Sequence, residues 1–194
     1  LKNLADQYDM LIVCPDGDYS SWYLDSPVDS TMRYETYIGK EVPEYIDQHY
    51  STDRSSKARA ITGLSMGGHG ALFLGLRHPD IFGACGSMSG GVNLSEIFKY
   101  DVPKRLGDTI RHKEHWKNYS VSNLVEKYNT KDSTAMIIDC GTEDYLYEAN
   151  KSLRDSCDML KIKATYIAQP GAHTSGYWAQ TIPVHFAYFH RLIH

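Results

Sequence analysis

The sequence predicts an α/β fold, a mostly parallel sheet with helices on its faces, and three observations carry that expectation. Short apolar runs alternate with stretches of helical period, the pattern of strands joined by crossover helices. One of these runs, 58–62, feeds directly into a glycine-rich turn and then into a helix. The composition, 42% hydrophobic and 23% charged over 194 residues, suits one ordinary domain with enough chain to bury a core.

The elements follow in order. Residues 10–14 form the first expected strand, closed by Pro15, Asp16 and Gly17. An aromatic loop follows through Tyr19, Trp22, Tyr23 and Leu24. From 34 to 50, Ile38, Val42, Tyr45, Ile46 and His49 recur near helical spacing, which predicts a helix. The second strand is 58–62. The helix after it carries Leu72, Phe73, Leu76 and Arg77 and is stopped by Pro79. A third strand covers 84–88. Residues 90–133 read as polar and irregular with one helix at 121–128, and so as a lid or substrate-contacting insert. A fourth strand at 135–140, a helix at 148–160, a fifth strand at 164–167 and a closing helix at 177–193 complete a single domain over 1–194.

Composition narrows the function classes. A formal net charge of −4 with no polybasic stretch argues against nucleic acid as a partner. No apolar run reaches the roughly 18–20 residues that a membrane helix needs. The chain opens on Leu1 with no leader-like stretch before it, so the compartment stays open, as does the oligomeric state. Cys14, Cys85, Cys140 and Cys157 form no C-x-x-C pair, which disfavours zinc and dithiol chemistry; free, mostly buried thiols are expected. Fifteen tyrosines make an aromatic-lined pocket plausible.

Chemistry concentrates at Gly63-Leu64-Ser65-Met66-Gly67. A G-x-S-x-G run between a strand and a helix holds the serine hydroxyl clear of the sheet on a tight turn. The helix start supplies a positive dipole end, and the Met66 N–H can stabilise an oxyanion. A serine nucleophile needs a base and the base an orienting carboxylate, which in such folds follow in the order serine, acid, histidine. Asp144 and Glu143 both follow the fourth strand, while Asp139 lies within it; spacing leaves the two loop acids open. His173, in Pro170-Gly171-Ala172-His173, is the histidine on the loop after the last strand. His185, His190 and His194 fall on the closing helix, and His69 and His78 flank the serine's helix as structural residues.

The run Gly63-Leu64-Ser65-Met66-Gly67-Gly68-His69-Gly70-Ala71 resembles the putative-esterase family of α/β-hydrolases. That family includes feruloyl, acetyl and tributyrin esterases, S-formylglutathione hydrolases and mycolyl transferases. Pro15-Asp16-Gly17 with the aromatic loop, 139–146, and Pro170–His173 with Tyr177-Trp178 match as well, so the resemblance spans nearly the whole chain in order. It implies an α/β-hydrolase fold with Ser65 as nucleophile, Asp144 as acid and His173 as base, and no metal or organic cofactor. Thr174 and Ser175 stand where members often carry an Asp-Trp pair. The resemblance further implies strands upstream of residue 10 and a loop there bearing a second oxyanion donor. Without them the chain is expected to be weakly active and prone to self-associate.

The function implied is hydrolysis of carboxylic esters through an acyl-enzyme, with feruloyl or acetyl esters of plant polysaccharides as first choice. The substrate is then a small-molecule or carbohydrate-linked ester. S-formylglutathione hydrolase and acyltransferase are the alternatives within the family, and a non-catalytic hydrolase-like binding protein is the alternative outside it. Tyr19, Trp22, Tyr23, Tyr145 and Trp178, with Tyr147, sit on loops expected near the strand C-termini, where ligands bind in open α/β sheets; the first five are the expected substrate-binding residues.

Overall fold

The computed structural model describes residues 1–97, 99–128 and 134–194. The chain opens with α1 (Lys2–Tyr8) and, after the aromatic loop, enters a continuous helical stretch. That stretch comprises α2 (Tyr34–Thr36), a π-turn at Tyr37–Glu41 and α3 (Val42–His49). Then come β1 (Ala60–Leu64), α4 (Met66–Arg77) and β2 (Ala84–Met88). The insert carries α5 (Val102–Leu106), α6 (Lys113–Tyr119) and α7 (Val121–Leu124). The chain closes with β3 (Ala135–Gly141), α8 (Tyr147–Met159), β4 (Ala164–Gln169) and α9 (Ser175–Ile193).

The four strands form one parallel sheet in the order β1-β2-β3-β4. Strands that succeed one another in a single direction with right-handed crossovers put their connecting helices on one face. Accordingly α4 and α8 share a face with Cys85, Met136 and Ile138. The opposite face, bearing Ala84 and Ile137, is covered by α9 through Phe189. β2 and β3 are therefore buried on both sides, including their polar residues Ser87 and Asp139. Phe73 of α4 is fully buried, and truncating it to alanine should cost about 3–5 kcal/mol.

Strand register gathers the ends that matter. Leu64 lies beside Met88, Met88 beside Asp139, and Gly141 beside Gln169. The residues that leave these strands, at 65, 89, 142–146 and 170–174, thus emerge along one carboxyl edge of the sheet.

Three sequence expectations need correction. Residues 10–14 pair with no strand among the described residues, although Met10 and Ile12 are half-buried and Leu11 and Val13 exposed, the alternation of a strand. Alternation reports one covered face; it does not supply a neighbour to bond. Met10 packs instead against the cluster under α9. The 58–62 strand is displaced to 60–64, because Ser56–Ala58 forms a 3-10 turn held by the Ser55 hydroxyl. The insert is no polar excursion: Val92, Leu94, Val102, Leu106, Trp116 and Val121 are buried in the main core. Its apolar residues are too sparsely spaced over short helices for a periodic signal. The lid expectation also spans residues 98 and 129–133, which lie outside the described residues.

β1 forms one edge of the sheet among the described residues, with Leu64 38% exposed. No helix of the described residues is long and apolar enough to cross a membrane. Cys85, Cys140 and Cys157 are buried free thiols, whereas Cys14 is an exposed one.

Candidate active site

Ser65 sits between β1 and α4 at φ +54°, ψ −117°, a conformation that costs a non-glycine residue energy and presents its side chain above the sheet edge. Its neighbours make room. A β-carbon on Gly63 would collide with the Gly67 carbonyl, and one on Gly68 would come within 2.7 Å of Ser87 Oγ and 2.9 Å of Gly90 Cα. Glycine at these places lets α4 start immediately and lie against the end of β2. The Ser65 N–H donates to Met88 O at 2.9 Å, which ties the turn to β2. Met66 is the first residue of α4, so its N–H is among those a helix leaves without an internal partner.

His173 Nε2 lies 2.9 Å from Ser65 Oγ, and its Nδ1 lies 2.9 Å and 3.1 Å from the two Asp144 carboxylate oxygens. The three side chains come from the ends of β1, β3 and β4. Asp144 is buried, and its Oδ1 also accepts the Leu146 N–H at 2.9 Å. Burial opposes its charge, but hydrogen bonds from His173, from the Leu146 N–H and from Ser89 outweigh burial and hold its carboxyl below the usual value. Glu143, the other loop acid, is exposed, and its N–H donates to Gly171 O at 2.9 Å.

A cavity of about 600 Å³ opens over Ser65 and His173. Tyr19, Trp22, Tyr100 and Tyr145 form aromatic walls, Ile97 and Leu146 add aliphatic surface, and Met66 and Gly91 contribute beside the serine. Glu143 is the charged carboxylate of the lining, and no lysine or arginine lines it among the described residues. The insert fastens the aromatic loop: Trp22 Nε1 donates to Tyr100 O at 3.0 Å, and Arg105 Nε donates to Ser20 O at 2.9 Å. Beneath the loop, His69 is stacked on Phe73 and meets the Trp22 ring edge-on, with its nitrogens 3.2 Å from Trp22 O and 2.9 Å from Tyr119 O. Burial pushes its pKa down to about 4, against the raising effect of the two carbonyls.

The site thus brings together Ser65, Met66, Asp144 and His173 with Tyr19, Trp22 and Tyr145. It leaves Tyr23 and Trp178 outside the cavity. Tyr23 packs against the core below the loop. Trp178 meets the His173 ring edge-on at 4.8 Å and 87°, and its Nε1 donates to Ser89 Oγ at 3.1 Å. Tyr147 starts α8 rather than facing the cavity. Thr174, in place of the expected aspartate, caps α9 by accepting the Tyr177 N–H at 3.3 Å. Ile97, Tyr100 and Leu146 are lining residues that the sequence reading misses; the first two belong to an insert with no readable period, and Leu146 ends the matched 139–146 segment, which marks the acid turn and not the cavity wall.

A parallel sheet with a strand–serine–helix turn and a histidine–carboxylate pair at its carboxyl edge defines the α/β-hydrolase class. Within it, the chain belongs to the putative-esterase family, whose profile matches residues 3–189. The chain is 29% identical over 185 residues to an S-formylglutathione hydrolase of Arabidopsis thaliana, covering 91% of this chain and 61% of that protein. It thus spans less than two thirds of that relative's length. A ferulic acid esterase structure is 28% identical with a TM-score of 0.75, covering 89% of this chain and 65% of that one. The fluorophosphonate-binding serine hydrolase FphF of Staphylococcus aureus, 22% identical, superposes with a TM-score of 0.83 over 97% of this chain and 74% of its own.

Proposed function

We propose that this chain is a serine esterase that works through an acyl-enzyme, with Ser65 as nucleophile, His173 as general base and acid, and Asp144 as the carboxylate that orients His173. The observation that carries the reading is the unbroken hydrogen-bond path from Asp144 through His173 to Ser65, opening on the cavity. Ser65 Oγ attacks the ester carbonyl as His173 Nε2 takes its proton. The oxyanion is stabilised by the Met66 N–H at the start of α4. His173 then returns the proton to the leaving alkoxide, which departs as the alcohol. Water, deprotonated by the same nitrogen, attacks the acyl-enzyme and releases the acid and free Ser65.

The preferred substrate is an uncharged ester with a flat, aromatic acyl group, of the feruloyl kind. Aromatic walls favour planar groups. The S-formylglutathione reading draws on the Arabidopsis relative. Glutathione, however, carries two carboxylates, and this lining offers them Glu143 and no lysine or arginine among the described residues. Comparing kcat/KM for methyl ferulate, ethyl acetate and S-formylglutathione tests the reading. Methyl ferulate should lead. A lead for S-formylglutathione would replace this substrate class with the thioester one.

A further inference from the structure

Non-glycine residues in and beside the aromatic loop carry left-handed backbone angles. Asp18, Trp22 and Tyr23 lie at φ +53°, +52° and +58°, and Tyr100 and Asp101 of the insert at +58° and +60°. Such angles disfavour any residue with a β-carbon, bulky ones most, and they persist only where the surroundings hold them. For this loop much of the holding comes from one side chain of the insert, 85 residues beyond Ser20.

That side chain is Arg105, on α5 between the fully buried Val102 and Leu106. On the outgoing limb of the loop its Nε donates to Ser20 O at 2.9 Å and its Nη2 to Ser20 Oγ at 3.0 Å, and Nη2 lies 4.0 Å from an Asp18 carboxylate oxygen. On the returning limb its Nη1 lies 3.6 Å from an Asp29 carboxylate oxygen, and its backbone carbonyl accepts the Ser26 hydroxyl at 2.6 Å. Ser20 passes the connection back to the insert, with its Oγ donating to Asp101 Oδ2 at 3.4 Å. The Arg105 side chain is 14% exposed, so its charge-assisted bonds are made largely out of water. A rigid guanidinium fork suits this bridging of two limbs; a lysine ammonium has no such geometry.

Tyr19 adjoins this anchor and Trp22 lies two residues beyond it, and both line the cavity over Ser65. We infer that Arg105 is a positioning residue that sets acyl specificity: by joining the two limbs it holds the Tyr19 and Trp22 rings ready to receive a flat acyl group. This rests on the aromatic-acyl reading above. A wall ordered before the ester arrives need not be ordered on binding. The triad bonds are made on the sheet edge, by no residue of the loop.

Arg105→Met keeps an unbranched stem and deletes every bond of the guanidinium. If the formed wall is then populated about one tenth of the time, KM for methyl ferulate should rise about tenfold with kcat changed less than about twofold. Ethyl acetate, too small to use the walls, should keep its kcat/KM within about twofold, which also reports that the variant is folded. Ser20→Ala removes the hydroxyl that links Arg105 to Asp101 but leaves the carbonyl bond, and should raise the same KM by about threefold. An equal fall on both esters, or no rise in KM for methyl ferulate, overturns the inference; should Arg105→Met fail to fold, an unchanged KM in Ser20→Ala overturns it. The parent reading fails separately, in the wild type alone: a kcat/KM for methyl ferulate below that for ethyl acetate removes the aromatic-acyl preference, whereas the role of Arg105 is read from the ratio of variant to wild type.

Discussion

Asp144 and Glu143 are chain neighbours that the turn after β3 sends to opposite fates: Asp144 is buried against His173 Nδ1 at 2.9 Å, while Glu143 is exposed at the cavity. The difference comes from the turn itself, in which the Asp144 N–H donates to Gly141 O and the Glu143 N–H to Gly171 O. Asp144→Asn should therefore lower kcat by about 10³–10⁴-fold, through loss of the orienting charge. Glu143→Gln should stay within a few-fold. Steady-state kinetics on a neutral aryl ester decide it, and the opposite ranking would contradict the assignment.

Glu143 should instead govern substrate charge. Glu143→Lys replaces the anionic lining residue with a cation, so kcat/KM for anionic esters should rise several-fold while a neutral ester changes little. Added salt should shrink the gain, because an exposed charge is screened. An equal change for neutral and anionic esters would show that the side chain acts by shape.

The aromatic walls separate by exposure. Tyr100 and Tyr145 are 55% and 65% exposed and carry little of the core. Replacing either with alanine should leave the melting temperature nearly unchanged and lower kcat/KM for methyl ferulate by about tenfold, with ethyl acetate barely affected. A comparable fall for both esters would remove the aromatic-acyl preference. Trp22, 3% exposed and bonded to the insert through Tyr100 O, should behave differently: Trp22→Ala should destabilise by about 3–5 kcal/mol.

Asp139 offers a stability test. Burial raises its pKa from 3.8 to about 6 against the lowering effect of the Tyr177 hydroxyl. Between about pH 4 and 6 the folded protein holds a proton that the unfolded chain has released, so stability falls as pH rises through that window and stays reduced above it. Asp139→Asn keeps an acceptor for Tyr177 and removes the charge. It should be more stable than the wild type by up to about 3 kcal/mol above pH 7, with the gap closing near pH 4. Denaturant melts across that range check it; a gap independent of pH would contradict the cause.

Much of this site is legible in the sequence, for local reasons. The serine turn is written in consecutive residues, 63–68, and its geometry depends mainly on their own lack of side chains. His173 followed from its place on the loop after the last strand. Spacing does not separate Asp144 from Glu143, because their difference arises from bonds to residues 141 and 171. Ser89 carries no sequence signal at all: its left-handed backbone, and its bond from Trp178, exist only once β2, β3 and α9 are assembled. The 10–14 segment misled for the converse reason, since its alternating apolar pattern is local whereas strand pairing is not.

The central claim is a covalent intermediate on Ser65, and intact-protein mass spectrometry after mixing with an activated aryl ester measures it most directly. The account predicts a mass increase of one acyl group, mapped by peptide analysis to Ser65, which decays as the acid is released and is absent from Ser65→Ala. Ester turnover with no acyl adduct on Ser65, or with an adduct that persists in Ser65→Ala, would contradict it.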